Sequence, residues 1–297
     1  MRRFTHKQLR QGAATTARTL LLLVISFAVL QTLLLLLGSS GKDMYDVVDP
    51  MVKWIPREFK KGNYVRAFEV LGGTSAIVKC LIIYSGTAAA QVLSSAVIAY
   101  GFARYRFPGR GVLFALMVAT FFVPQQIIFL PRYVLFSKYK MLGTVWTLFL
   151  PTVTGQGIKN ALLILVFWQF IRTIPASLDE AAMIDGAGLL RTFVRIDMPL
   201  AIPGIVICSV LSFAWNWNDT FFADTYFKGA IPNVTLTLGN LRDLYSGGVS
   251  SNSADEYFHT GIEVAAAVLV LLPPLMLYLV FEKRLIESVD RVGITGE

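Results

Sequence analysis

The sequence predicts an all-α membrane protein with six transmembrane helices. Of its 297 residues, 55% are hydrophobic and only 15% are charged, and the mean hydropathy is +0.60. A soluble domain of this length could not bury so much apolar surface. The apolar residues also form separate blocks of about 20 residues, the length that a helix needs to cross the ~30 Å hydrocarbon layer. The blocks therefore indicate a chain that crosses the bilayer several times.

Six apolar blocks are the predicted spans. They cover approximately residues 19–37, 80–100, 111–130, 142–171, 199–215 and 260–281. The fourth block is too long for one perpendicular helix, and Pro151, Gly155 and Gly157 interrupt it, so we expect a broken or re-entrant segment. If the third block is one continuous helix, Pro124 and the two glutamines that follow it lie within the bilayer.

Basic residues beside the blocks predict the orientation. The first 18 residues carry five basic side chains and no acid, which indicates a cytoplasmic N-terminus. The basic turn at 104–110 and the basic residues Lys283, Arg284 and Arg291 of the tail agree, so we expect both termini inside and the mixed stretch 41–79 as an ordered external segment. A cleaved signal peptide is the competing interpretation of the first block, but its uncharged core of 19 residues is longer than a usual signal core.

The composition argues against several other classes of protein. The only histidines are His6 and His259, and the only cysteines are Cys80 and Cys208. Their spacing fits no metal site or disulfide framework, so we expect the cysteines to be small core residues and predict no catalytic cluster. The net charge of +8 lies largely beside apolar blocks, where it signals orientation rather than nucleic-acid binding. No GxxxxGK[ST] phosphate loop occurs, so any ATP hydrolysis must come from another polypeptide.

The loop between the fourth and fifth spans is the most informative part of the sequence. It runs from Ile174 to Pro203 and reads IPASLDEAAMIDGAGLLRTFVRIDMPLAIP. Ser177 followed three residues later by Glu180 is the pattern of a capping box, which predicts a helix that starts at Leu178. The orientation above places this loop on the cytoplasmic face.

The same loop is predicted to reverse direction. Gly186 and Gly188 permit a sharp turn before a second short helical stretch at 189–196, which Met198 and Pro199 should end. The expected element is a compact helix, turn and helix at the membrane surface. It should present small alanines on one side and a charged rim of Glu180, Asp185 and Arg191.

These residues resemble the EAA loop of binding-protein-dependent ABC importer permeases. The positions that match in type and spacing are Glu180, Ala181, Ala182, Asp185, Gly186, Ala187, Ile196, Pro199 and Pro203. In that family the loop contains a coupling helix that docks into a cleft on the ATP-hydrolysing subunit. The resemblance therefore implies an ATPase-coupling role for Ser177, Glu180, Ala181, Ala182, Asp185, Gly186, Ala187, Gly188 and Arg191. An ordinary amphipathic loop at the membrane surface is the alternative.

Other segments resemble the carbohydrate-uptake branch of the same family, in particular the shorter of its two permeases. They are Asn63 with Tyr64, AYGFARYRFPGR at 99–110, VPQQIIFLPRY at 123–133 and FAWNWND at 213–219. The departures are Met198, where the family usually has leucine, and the tail ESVDRVGITGE, which keeps only Gly293 and Gly296 of a glycine-rich ending. Any contact of this tail with the ATPase is therefore in doubt.

The resemblance implies the assembly and the organisation of the chain. Residues 1–18 would be a cytoplasmic N-terminus, 19–281 a six-helix MetI-like permease domain with the coupling loop 174–203, and 282–297 a cytoplasmic tail. The expected partners are a second homologous permease, two copies of an ABC ATPase, and an extracellular or periplasmic solute-binding protein. The chain would lie in a bacterial inner membrane and bind no cofactor, with ATP and magnesium on the ATPase.

Several polar residues are candidates for the substrate path. Gln125 and Gln126 have amides that can bind sugar hydroxyls, or that can join helices to one another. Trp215, Asn216, Trp217 and Asn218 combine flat rings with amides, which suits sugar stacking, although tryptophans also anchor helices at the interface. Asn160, with Lys159, lies at the break in the fourth block, where Lys159 can line a polar cavity or reach the interface.

The predicted function is a permease subunit that imports a sugar, an oligosaccharide or a sugar derivative by alternating access. The first alternative is the same machinery for amino acids, peptides or other solutes. The second is an ion-driven secondary transporter, which would require inverted repeats and intramembrane carboxylates that the sequence does not convincingly offer. No residue is predicted to be catalytic.

Overall fold

The computed structural model describes residues 6–241 and 253–294, and the regular secondary structure in these ranges is helical. In chain order the α-helices are α1 (His6–Ser40), α2 (Met44–Val48), α3 (Lys61–Val70), α4 (Gly73–Arg104), α5 (Arg110–Ala119), α6 (Gln125–Lys138), α7 (Trp146–Val153), α8 (Asn160–Thr173), α9 (Ala176–Ile184), α10 (Leu189–Thr192), α11 (Met198–Leu200), α12 (Ile202–Trp217), α13 (Phe221–Phe227), α14 (Val234–Gly239) and α15 (Ser253–Ile294). A 3₁₀ turn follows α5, and a π-helical turn, Phe193–Asp197, joins α10 to α11.

The helices account for the predicted spans. Among the described residues, three helical segments are long and apolar enough to cross a membrane: 15–40, 73–104 and 260–286. Three further pairs pass the same test together but are bent, by 98°, 71° and 81°. Counting each bent pair as one span gives up to six spans, so the predicted all-α membrane fold is confirmed.

The third apolar block is not one continuous helix, so the condition that would place Pro124 and the two glutamines within a single span is not met. The chain bends by 98° between the 3₁₀ turn Thr120–Phe122 and α6. Val123 has extended geometry (φ −78°, ψ 117°) because the ring of Pro124 excludes helical geometry for the residue before it. The two glutamines therefore lie at the start of a new helix, directly after a sharp bend.

The fourth apolar block is broken, as predicted. Helix α7 ends at Val153, and α8 begins only at Asn160. Gly155 (φ +77°) and Lys159 (φ +52°) are left-handed in the connection. Pro151 lies inside α7 and does not end it. The glycine rather than the proline therefore marks the break.

The described residues form two compact units. One contains residues up to 70 together with 240–270, and the other contains 71–239 together with the residues after 270. The core of the second unit lies where α4 packs on α8 and α12. Its buried side chains are Ala96, Ala99, Tyr100, Leu163, Ile164, Phe167, Ile171, Phe193 and Cys208. Small residues of α4 in this cluster permit close approach of its neighbours. Cys80 and Cys208 are both buried and unpaired, as expected.

The stretch after α1 in the first unit is ordered by side chains bonded to the backbone. Asn63 donates to the carbonyls of Ser40 (3.0 Å) and Lys42 (2.8 Å). The buried ammonium of Lys42 donates to the carbonyl of Val52 at 2.7 Å. The hydroxyls of Ser40 and Tyr64 are hydrogen-bonded at 2.7 Å. These bonds give the stretch a defined structure, while its external location stays a prediction. The polar, serine-rich stretch between the fifth and sixth blocks, which contains Gly247 and Gly248, lies outside the described residues.

Two helical glycines differ sharply in the space around them. A Cβ on Gly204 in α12 would lie 2.8 Å from Cδ2 of Phe170, whereas a Cβ on Gly101 in α4 would meet nothing within 4 Å. Gly204→Ala should therefore lower the thermal unfolding midpoint of the detergent-solubilised chain, because overpacking costs about 1–3 kcal/mol. Gly101→Ala should keep or raise it, because alanine is the better helix former. Equal midpoints for the two variants would contradict the α8–α12 packing.

Candidate functional site

The loop after α8 begins with a helix that turns away from its predecessor. Helices α8 and α9 are bent by 71° at Pro175, which caps α9. The amide of Leu178 donates to the Pro175 carbonyl at 3.2 Å. The predicted capping box is wrong: α9 begins at Ala176, Ser177 lies inside its first turn, and no side chain caps the helix. Proline has a backbone suited to this position, so the start lies two residues earlier than expected.

The reversal occurs at Gly186, as predicted. Gly186 is left-handed (φ +79°), and its amide donates to the Met183 carbonyl at 3.1 Å. The amide of Ala187 donates to the Ala182 carbonyl at 2.8 Å. This pair of bonds is a Schellman motif, which satisfies two terminal carbonyls of α9 and fixes the turn. Gly188 has extended geometry with negative φ (−74°) and caps α10.

The second arm of the loop is longer than predicted. Helix α10 begins at Leu189, as expected, but the π-helical turn and α11 continue the arm to Leu200. Pro199 lies within α11 and does not end the arm. Proline is tolerated in the first turn of a helical segment because its missing amide has no partner there.

The exposed surface of the loop is more apolar than predicted. Glu180, Asp185 and Arg191 are exposed and form the expected charged rim. Ala182 is buried, however, and the tip instead exposes four larger apolar side chains: Met183, Ile184, Leu189 and Leu190. Ile184 is 86% exposed and Leu190 is 75% exposed. An apolar patch with a polar rim is typical of a protein-binding surface.

A largely buried arginine, with a side chain that is 10% exposed, holds the base of the loop. Arg104, the last residue of α4, forms ion pairs with Asp179 of α9 and Asp197 of the π-helical turn, each at 2.8 Å. Its Nη1 atom donates to the carbonyl of Ile174 at 3.0 Å. Burial raises the pKa of the Asp179 carboxyl, and the neighbouring Asp197 carboxylate adds to this. We call this group the Arg104 cluster.

The sequence did not predict the Arg104 cluster. In the sequence, Arg104 is one charge of a basic turn, and nothing distinguishes Asp179 or Asp197 from the other aspartates. The sequence contains no signal that pairs these charges, because they are 75 and 93 positions from the arginine. Only the packing of α4 against the loop brings them together.

A second polar group lies inside the helix packing, and we call it the Gln91 cluster. The buried Gln91 of α4 donates to the Ile158 carbonyl at 2.7 Å. Its carbonyl oxygen accepts from the Ser212 hydroxyl at 2.7 Å and from the Asn216 amide at 2.8 Å. Gln91 and Ser212 were missed in the sequence, although an amide in the middle of the second apolar block was a usable signal.

Two predicted path residues adjoin the Gln91 cluster. Asn216 belongs to it directly. Asn160 is 3% exposed, and neither atom of its amide has a hydrogen-bond partner among the described residues. A Cβ on Gly157 would lie 3.0 Å from the Gln91 amide nitrogen and 3.4 Å from the Asn160 amide oxygen, so these two side chains share one space.

The other predicted path residues lie elsewhere or face their own helix. Gln125 and Gln126 begin α6 after the 98° bend. The exposed Asn218 donates to the Ala214 carbonyl of its own helix at 2.9 Å. The ring of Trp215 is covered by the Lys159 ammonium, 4.9 Å from the ring centroid, so Lys159 does not simply extend to an interface.

Trp217 fits neither of the two roles considered for it, sugar stacking and anchoring at the interface. Its side chain is buried, stacked on Phe213 and edge-on to Tyr84. It is therefore a core residue in this conformation. Within the described part of the chain, no group of three or more His, Cys, Asp or Glu side chains lies close enough to hold a metal ion.

The helices define a polytopic membrane protein with a loop whose tip is apolar and exposed. Residues 92–289 match the family described as binding-protein-dependent transport system inner membrane component, and the chain belongs to this family. It is thus a permease of the ABC transporter class, a transport subunit of the inner membrane and not an enzyme. Such permeases operate with an ATPase and a substrate-binding protein.

Relatives and a solved structure agree with this membership. A probable ABC transporter permease of Pyrococcus horikoshii is 31% identical over 70% of this chain and 71% of its own. The trehalose transport system permease SugB of Mycobacterium tuberculosis is 28% identical over 92% and 95%. The diacetylchitobiose uptake permease NgcG of Streptomyces coelicolor is 25% identical over 91% and 86%.

The solved structure is a bacterial ABC transporter involved in the import of the acidic polysaccharide alginate. One of its chains superposes with a TM-score of 0.72 at 18% identity, covering 95% of this chain and 99% of that one. At this identity the likeness supports the fold alone.

The turn of the loop can be tested with its two glycines. Gly186→Ala forces a Cβ into left-handed geometry at a cost of about 1–2 kcal/mol. Amide hydrogen exchange in residues 176–192 should therefore accelerate about 5- to 30-fold. Gly188→Ala is the matched control, since its φ is −74° and no atom lies within 4 Å of the added Cβ. Unchanged exchange in Gly186→Ala would contradict the fixed turn.

Proposed function

We propose that this chain is the permease through which an ABC importer takes up a sugar, an oligosaccharide or a sugar derivative. The observation that carries the proposal is the projecting loop, with its fixed turn and exposed apolar tip, in a chain of this family. Relatives named for trehalose, diacetylchitobiose and alpha-glucoside transport support a carbohydrate substrate.

The loop is proposed to couple ATP hydrolysis to transport. The exposed tip, flanked by Glu180, Asp185 and Arg191, would occupy a cleft on the ATPase, which holds the ATP and magnesium. Closure of the ATPase dimer would then displace the loop. Its short helices and Schellman turn make it stiff enough to transmit that displacement. Because the loop is continuous with α8 and α12, the displacement would reach helices that line the path.

The proposed complex contains a second, homologous permease, two ATPase copies and an extracellular or periplasmic binding protein. Both termini of this chain would lie in the cytoplasm. In the resting state the path would face the cytoplasm, and ATP-driven closure would open it toward the loaded binding protein. The exposed apolar surface of α1, none of which is buried over its most hydrophobic stretch, supports contact with lipid or with the partner permease.

The Gln91 cluster is proposed to border the substrate path. Its amides and hydroxyl are the groups that suit sugar hydroxyls. The unpartnered amide of Asn160 is the strongest indication, because buried polar groups are normally hydrogen-bonded. A sugar hydroxyl or a water molecule would satisfy this amide during the transport cycle.

Reversal of one charge at the loop tests the coupling role. Glu180→Arg should leave the protein in the membrane and abolish uptake together with ATPase coupling. The ATPase surface that accepts the glutamate would meet a larger side chain of opposite charge. Co-purification with the ATPase is measured first. Uptake into proteoliposomes is then measured with a sugar that binds the solute-binding protein, identified by the rise in melting temperature that it causes in that protein.

The matched control is Glu69→Arg, the same change at an exposed position of α3. It should retain co-purification and uptake. Normal transport by Glu180→Arg would refute the coupling role, and the absence of an ATPase from a functional wild-type complex would refute the proposed function as a whole.

Substitution of Asn160 tests the substrate path. Asn160→Leu removes two unpartnered polar atoms at similar volume, so the complex should assemble with equal or higher thermal stability. Uptake should nevertheless fall ~10-fold, because loss of one hydrogen bond costs about 1 kcal/mol or more. Asn218→Leu is the comparison, since its amide bonds its own helix, and it should transport normally. Unchanged uptake in Asn160→Leu would remove Asn160 from the path.

A further inference from the structure

Arg104 connects segments that are far apart in the chain. Through its three guanidinium nitrogens it binds Asp179 in α9, Asp197 in the π-helical turn and the carbonyl of Ile174 at the end of α8. Its side chain is only 10% exposed. One planar group therefore fixes both arms of the loop, and the end of α8, against the end of α4.

The two aspartates of the Arg104 cluster depend on this arginine for their charge pairing. Two buried aspartates share one arginine, and no other cation forms an ion pair with either of them within the described residues. Each aspartate also has one carboxylate oxygen without a hydrogen-bond partner. Removal of the arginine charge would leave two buried carboxylates beside each other, so their attachment to α4 depends on it.

Helix α4 has no covalent connection to the loop near this point. The loop continues directly into α8 on one side and α12 on the other, whereas the end of α4 meets it through noncovalent contacts that include the Arg104 cluster and an aromatic contact. In that contact the rings of Tyr100 and Phe193 lie 4.9 Å apart. Aromatic rings can slide past each other, but a three-way hydrogen-bonded fork cannot shift without breaking bonds.

Helix α4 leads from the Arg104 cluster to the Gln91 cluster. Gln91 lies 13 residues before Arg104 in the same helix, a distance of ~20 Å at 1.5 Å per residue. Gln91 is bonded to Ser212 and Asn216 of α12 and to the Ile158 carbonyl beside α8. A displacement of the end of α4 would therefore act directly on the polar group proposed to border the path.

We propose that Arg104 is a positioning residue that makes the coupling loop and α4 move as one body, and so carries loop displacement to the Gln91 cluster. This inference rests on the proposed function, because it requires that an ATPase displaces the loop. Its test separates the two, since the ATPase can move the loop whether or not α4 follows.

The test measures a distance between the loop and α4. Spin labels are placed at Val194→Cys, an exposed position of the loop outside its tip, and at Val97→Cys on the exposed side of α4, while Cys80 and Cys208 are buried. The complete transporter is measured by pulsed EPR without nucleotide and after trapping with ATP and vanadate. With native Arg104, one narrow distance should persist in both states.

Two variants break the link in different ways. Arg104→Lys keeps the charge but cannot form the three-way fork. The double variant R104Q/D179N keeps the net charge of the cluster, so it remains informative if the lysine variant folds poorly. Both should broaden the distance distribution or shift it on trapping, and should lower binding-protein-stimulated ATPase activity ~10-fold. The matched control is Arg106→Gln, an exposed arginine two residues further on, which should behave as native.

The outcomes distinguish the inference from the proposed function. If the native complex binds no ATPase, or if its loop shows no response to nucleotide in a second label pair between loop and ATPase, the proposed function fails. The positioning role of Arg104 is overturned by a different result. In that result the native loop responds to nucleotide, and the Arg104 variants keep both the narrow, unchanged label distance and the stimulated ATPase activity that Arg106→Gln shows.

Discussion

Close packing of α4 against α8 and α12 is the constraint on which the functional features of the second unit depend. In a bilayer, every backbone amide and carbonyl of a span must be bonded within its own helix. Helices can then associate only through side-chain packing and the few polar groups between them. Small residues such as Ala96 and Ala99 permit that approach, and it brings Gln91 and Arg104 of one helix into contact with partners on the others.

The fold class was predictable because the bilayer fixes both the length and the composition of a span. The six apolar blocks therefore correspond to helices, and the break in the fourth block lies at its glycines. The bend at Pro124 was missed, because the hydropathy of the third block is continuous across it. The start of α9 was misplaced for a similar local reason. Ser177 and Glu180 match a capping pattern, but Pro175 already determines where the helix begins.

The site was predictable only where its chemistry is local in sequence. The turn at Gly186 follows from the glycines and from helix-ending geometry within a few residues. The Arg104 and Gln91 clusters each join segments that are far apart in the chain, and no local pattern reports such pairings. Trp217 shows the limit of a local reading: its ring suited a sugar ligand or an interface anchor, whereas the ring packs against Tyr84 and Phe213 in the core.

The Arg104 cluster and the Gln91 cluster differ in how firmly they hold the helices that they join. The Arg104 cluster is rigid, because a buried arginine with three acceptors has one favourable geometry and a high cost of separation. The Gln91 cluster is adjacent to the unsatisfied amide of Asn160 and to the connection between α7 and α8, which is not helical and is left-handed at Gly155 and Lys159. A helix anchored firmly at one end and bordered by an adaptable polar group along its length can transmit displacement without unfolding. Stiffness at the loop and adaptability at the path are therefore complementary, and α4 is the element that joins them.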